Sequence, residues 1–193
     1  MRRHSIVGNY YRLDPRKRIN VILYHFEGFP SIIRNYEMEL EDWILDARAR
    51  ARRESLGDLG VRIQNGRNDF SPTENEYQEK SQVEEIVQRG CLDESSRRLS
   101  EHDELQRGLL EIRLMKREYE RVRTLIGSLG KSDRTLFINY ICRENRAADL
   151  SGKLMMQQAS VRKKMYRMKK KLFEGYEDSF GIYSDDTILL LCI

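Results

Sequence analysis

The chain has 193 residues, of which 34% are charged and 39% hydrophobic, with only three prolines, twelve glycines and a net charge of +4. That length can bury a core, and so charged a sequence with so few helix breakers argues for long, solvent-rich helices and against a β-rich fold. The three cysteines, Cys91, Cys142 and Cys192, are odd in number and far apart, which argues against both a disulfide framework and a zinc site.

The modest net charge hides an asymmetry. Leu129 to Gly175 holds twelve Lys and Arg against four Asp and Glu, while Met1 to Ser128 balances at 23 of each sign and Tyr176 to Ile193 carries acids only. Positive charge gathered in one short segment is the footprint of a nucleic-acid face.

In chain order, residues 1–30 form an N-terminal segment. Asp14-Pro15 is a helix start, followed by Ile19, Ile22, Leu23 and Phe26 at helical spacing before Gly28 and Pro30, although NVILYHF also fits a strand. From Ser31 the positions Ile33, Tyr36, Leu40, Trp43 and Ala47 step by three and four, with acids early and arginines late, and the helix is expected to end near Gly57. Residues 57–76, rich in Gly, Asn, Asp and Pro, read as a polar loop. The helical pattern resumes at about Thr73 and breaks softly near Gly90-Cys91. It then runs through Leu105, Leu109, Ile112, Met115, Tyr119, Val122, Ile126 and Leu129, close to a heptad seam. Residues 31–128 are therefore expected to form a long antiparallel helical hairpin or coiled coil, with a homodimer through the long helices as the rival use of the seam.

After Gly127-Ser128-Leu129-Gly130 come three short apolar-periodic pieces within residues 129–175. Ser132 to Ile141 offers Leu136, Phe137, Tyr140 and Ile141; Asn145 to Met155 offers Ala148, Leu150 and Leu154; Ser160 to Phe173 offers Val161, Met165, Met168 and Leu172. The link Met155-Met156-Gln157-Gln158 between the second and third pieces has the length a helix-turn-helix requires. In such a unit the second helix enters the major groove and its first turn meets base edges, while flanking cations grip the backbone. Gln157 and Gln158, whose amides can pair bidentately with adenine, sit at the start of that helix, and Arg162, Lys163, Arg167, Lys170 and Lys171 point away from its apolar stripe. Met155, Met156, Met165 and Met168 read as core fillers, and Trp43 and the tyrosines as hairpin packing.

Ser132 to Leu172, with DRTLFINYI, AADLSGKL and MQQASVRKKMYRMKKKL, resembles the helix-turn-helix of sigma-factor region 4. More closely, it resembles the version at the C-terminus of phage late-gene regulators of the RinA and ArpU kind, where two long charged helices joined by a polar loop precede it. The resemblance implies a double-stranded DNA-binding transcription regulator of a phage or prophage, in contact with host RNA polymerase and located in the cytoplasm of a bacterial host cell. It also implies Leu150, Leu154 and Val161 in the core and Gln157, Gln158, Ser160, Arg162 and Lys163 facing DNA, with the later Arg167, Lys170 and Lys171 adding to the DNA-binding face. Three places depart from that pattern. Met155 stands where the turn has Gly, Gln157 stands where the recognition helix opens on Ser or Thr, and the link Cys142 to Arg146 is a residue longer. A Met forced into left-handed geometry is strained by about 1 kcal/mol.

A Lys/Arg-rich helix by itself is most often a solvated face. The shortage of local acids, the apolar stripe in register and the short preceding helix favour nucleic acid. No catalytic site is expected, because His4, His25 and His102 are isolated and neither a phosphate loop nor a metal-ligand spacing occurs; no cofactor is expected either. The tail, residues 176–193, ends in ILLLCI, too short to span a membrane, and no membrane association is expected. Two other readings fit the same pattern: a small terminase subunit-like DNA-binding assembly protein, and a helical adaptor whose basic end binds an acidic protein.

Overall fold

Asp14 accepts the Arg16 amide on its carboxylate at 2.9 Å and Pro15 fills the first turn, so helix α1 begins where the sequence marks it and runs Pro15–Tyr24. The structure, a computed structural model, describes residues 10–55, 72–142 and 147–180, and all the regular structure in them is helical. Beyond α1 come α2 (Phe29–Ser55), α3 (Pro72–Arg89), a 3-10 turn (Ser95–Arg98) and α4 (His102–Gly127). Three further helices follow, α5 (Lys131–Ile141), α6 (Ala147–Leu154) and α7 (Gln158–Phe180). The protein is all-α. Most of the expected polar loop, the link 143–146, the side chain of Leu154 and the ILLLCI tail lie outside what is described. Among the described residues no helix is long and apolar enough to cross a membrane.

The chain divides into two compact units, one from Ile33 to Leu114 and one made of the residues up to Ile32 together with those from Met115. In the first unit, Leu40, Ile44 and Ala47 of α2, Val83, Ile86 and Val87 of α3, and Leu105, Leu109 and Ile112 of α4 are buried at helical spacing. Trp43 is only half-buried, and the fully buried position is its neighbour Ile44. Partner numbers fall as α2 advances. The Tyr36 hydroxyl donates to Glu111 at 3.0 Å, Leu40 abuts Gly108, and Arg50 pairs with Glu101 at 2.8 Å, so this part of α2 runs antiparallel to α4. A Cβ at Gly108 would stand 3.0 Å from Leu40 Cδ1, and glycine lets the two helices approach there.

The soft break expected near Gly90-Cys91 is a full stop, and three helices occupy the unit where the pattern suggested two. Gly90 ends α3 in left-handed geometry, φ +72°, while its amide closes on Ile86 O at 2.8 Å. The Arg113 guanidinium occupies the space a side chain would need and donates to Arg89 O at 2.7 Å.

Just beyond, Asp93 organises the 3-10 turn. It accepts from the Ser96 amide at 3.1 Å, the Ser95 hydroxyl at 2.7 Å and Arg48 Nη2 at 2.8 Å. Partial burial pushes its carboxyl up, but the bonds from the two serines and the Arg48 charge outweigh it and hold the group at about 2, below its ordinary 3.8. A folded value below the unfolded one means this contribution is complete above about pH 4 and is lost as pH falls toward 2. Denaturant unfolding of Asp93→Asn should accordingly show a shallower loss of stability between about pH 4 and 2 than the parent chain, and an unchanged acid limb would contradict the assignment.

In the second unit the side chains of α1, the latter half of α4 and α7 converge on Glu118. This carboxylate is 1% exposed. It accepts Arg18 Nε at 2.9 and 3.1 Å and the Tyr10 hydroxyl at 2.5 Å, while Arg18 Nη1 also donates to Leu13 O at 2.8 Å. Tyr176, on α7, lies beside the same pair. Burial first, and the Glu118 charge second, push both phenols far above their ordinary range, so both stay protonated. Around the cluster Tyr10, Phe29 and Tyr119 form a ring chain, Tyr10 to Phe29 at 6.1 Å and Phe29 to Tyr119 stacked at 5.6 Å.

Removing one member of a buried ion pair strands the other charge, so Glu118→Ala should cost about 3–5 kcal/mol in equilibrium unfolding. Tyr10→Phe, which deletes one hydroxyl donor to a charged acceptor, should cost about 1.5–3 kcal/mol, and a smaller penalty for Glu118→Ala than for Tyr10→Phe would refute this ranking.

Candidate nucleic-acid interface

Leu136 and Phe137 of α5, Leu150 of α6, and Val161, Met165, Met168, Leu172 and Tyr176 of α7 are buried. The α7 positions step by four, three, four and four, which keeps one stripe of a helix turned inward. Both α5 and α6 pack on α7, and Lys164 Nζ reaches Asp133 of α5 at 2.6 Å. Five of the expected core positions differ. Ala148 is exposed, Tyr140 and Ile141 are half-buried, and Met155 and Met156 are exposed rather than core fillers. A short helix has one inward position per turn, and in α6 Leu150 takes it.

The turn between α6 and α7 is tighter than the four residues first read, because α7 begins at Gln158. Met155 is the one non-glycine residue with positive φ among the described residues, at 52°. Its amide bonds to Gly152 O at 3.4 Å and the Met156 amide reaches back to Ser151 O at 3.1 Å. These are the two bonds of a Schellman cap, with Met155 in the position that glycine usually holds. The side chain is 97% exposed, so it packs against nothing that would repay the strain. The Gln157 carbonyl then accepts from Ser160 at 2.9 Å and Val161 at 3.1 Å to start α7.

All eight residues expected to meet nucleic acid, Gln157, Gln158, Ser160, Arg162, Lys163, Arg167, Lys170 and Lys171, are solvent-exposed at this turn and along α7. Opposite the buried stripe, Lys163, Arg167 and Lys170 align at helical spacing, with Arg162 and Lys171 on its two flanks. Lys170 is partly tied, with Glu174 at 3.6 Å. The expected list omitted two exposed residues, Lys153 on the last turn of α6 and Tyr166, which sits between Lys163 and Arg167 and is 69% exposed. Tyr166 falls outside the 161/165/168/172 stripe, so the periodicity alone could have placed it outward. Tyr11, Tyr24 and Tyr77 are likewise exposed, and packing does not account for every tyrosine.

Charge along α7 runs against the helix dipole. Its first turn has no acid and its last turn no base. Seven basic residues lie between Arg162 and Lys171, and Glu174, Glu177 and Asp178 follow. Glu177 and Asp178 in the last turn oppose the dipole by some tenths of a kcal/mol each, and like charges four residues apart, Lys163 with Arg167 and Arg167 with Lys171, weaken the helix by similar amounts. A face kept for solubility alone would mix both signs. From Gln158 to Lys171 only one sign occurs.

Among the described residues no group of three or more His, Cys, Asp or Glu side chains is arranged to hold a metal ion. Compared with protein-family models, with curated proteins and with solved structures, the chain matches none.

The Met155 geometry carries its own test. Met155→Gly should relieve about 1 kcal/mol of left-handed strain, partly offset by the greater freedom of glycine in the unfolded chain. A higher thermal midpoint is expected, and a lower one would mean that the methionine side chain is held by something that glycine cannot replace.

Proposed function

We propose that the protein binds double-stranded DNA through α6, the Met155 turn and α7, and that it acts as a transcription regulator of a phage or prophage. The observation that carries the DNA reading is the single-signed exposed face of α7. It is set opposite a fully buried stripe and follows a short helix and a tight turn, although repulsion between like charges one turn apart weakens the helix that bears it. An anionic ligand would offset that cost. With α7 in the major groove, Gln158 and Arg162 near its first turn read base edges, and Lys163, Arg167, Lys170 and Lys171 hold the backbone. The regulatory role and the contact with host RNA polymerase rest on the resemblance of Ser132 to Leu172 to sigma-factor region 4.

Binding measured by fluorescence anisotropy on a short duplex should fall with rising salt, by about 0.9 in log affinity per log salt for each phosphate held. No binding at low salt, or binding indifferent to salt, would sink the proposal. Lys171→Ala should weaken binding evenly across sequences and lower the salt slope by about one contact, whereas Gln158→Ala or Arg162→Ala should relax base preference by roughly 1–3 kcal/mol. Lys171 is a cleaner probe than Lys170, whose release from Glu174 offsets part of its loss.

A further inference from the structure

We infer that Tyr166 is a non-ionic DNA contact built into the cationic face of α7, an inference that rests on the duplex-binding reading above. On α7, Lys163, Tyr166, Arg167 and Lys170 stand at i, i+3, i+4 and i+7, a single stripe on the side away from Val161, Met165, Met168 and Leu172. Tyr166 is the one aromatic residue in that stripe, and it is 69% exposed where the other aromatic residues of α7 described in full, Phe173 and Tyr176, are half-buried and buried. An exposed ring there adds nothing to the core, and helix formation itself favours Lys, Arg or Ala at such a surface position. Its chemistry suits what the flanking cations attract. The phenol is an amphipathic plate whose ring can lie on deoxyribose while its hydroxyl donates to a phosphate oxygen, and tyrosine is among the side chains that make such backbone contacts. Lys163 and Arg167 on adjacent turns bring a phosphate strand to the ring, and Tyr166 fixes the helix at one rotation about its axis.

Tyrosine carries no charge, so its contribution separates from that of its neighbours by salt dependence. On a duplex of about 30 base pairs titrated at several salt concentrations, Tyr166→Ala should weaken binding about tenfold and leave the slope of log affinity against log salt as in the parent chain. Lys163→Ala should instead lower that slope by about 0.9. Alanine is the better helix former and the site is exposed, so the thermal midpoint of Tyr166→Ala should match or exceed the parent's. An affinity within twofold of the parent, or a slope change as large as that of Lys163→Ala, would overturn the role of Tyr166 while leaving duplex binding intact. A parent chain with no salt-dependent duplex binding would instead overturn the reading beneath it.

Discussion

The buried ion pair between Glu118 and Arg18 is the constraint on which the unit that carries α7 depends. Both groups have left water, which costs several kcal/mol per ion and is recovered only when geometry and further hydrogen bonds are good. Here the recovery comes from the segment before α1, and a second part of the chain packs beside it. Tyr10 donates from the segment before α1, the Leu13 carbonyl accepts the spare guanidinium proton, and Tyr176 brings α7 to the same place. Apolar contacts slide and substitute for one another, whereas a desolvated carboxylate accepts one arrangement of donors. The cluster therefore sets the register of α1 and α7 against α4, which oily packing alone would set less sharply.

That anchorage bears on the cationic helix. Tyr176 lies in the last third of α7, and Gly175 beside it approaches Leu125 of α4, where a Cβ would stand 3.1 Å from Cδ2. Seven cations on a helix with an unfavourable charge order need support from elsewhere, and the buried stripe from Val161 to Tyr176 supplies it. The end of α7 nearest the Met155 turn is free to present Gln158, Arg162 and Lys163 because the other end is tied down. Strain at Met155 belongs to the same economy of placement: a left-handed residue is tolerated there because the residues on either side over-determine the turn.

Much of this was readable from local chemistry. Asp14-Pro15 marks the start of α1, while NVILYHF alone left helix and strand open, and the structure has the helix Pro15–Tyr24. The Val161, Met165, Met168 and Leu172 stripe, and with it the exposure of Ser160, Arg162, Lys163, Arg167, Lys170 and Lys171, follows from a period of 3.6. Gln157 and Gln158, by contrast, continue the face of the stripe and are exposed all the same. The left-handed place of Met155 was legible through the resemblance, which has a glycine there. What escaped the reading was set by partners distant in sequence. Glu118, one of many charged residues on α4, looks like a solvent residue until Arg18, a hundred positions away, is placed beside it. Ala148 looks apolar enough for a core, yet α6 is short and Leu150 fills its inward place. The separation of α3 from α4 depends on Arg113 closing over Gly90, a contact that no spacing announces.

By itself, then, the sequence determined that the chain is helical, where α1 begins and which face of α7 turns outward, because capping and amphipathic periodicity are decided within a few residues. Only the tertiary structure decided that α7 continues to Phe180 and that a charged residue lies at the centre of its support. Burying Tyr176 and Glu118 together stabilises that last stretch of helix, and burial depends on residues the local chain cannot see.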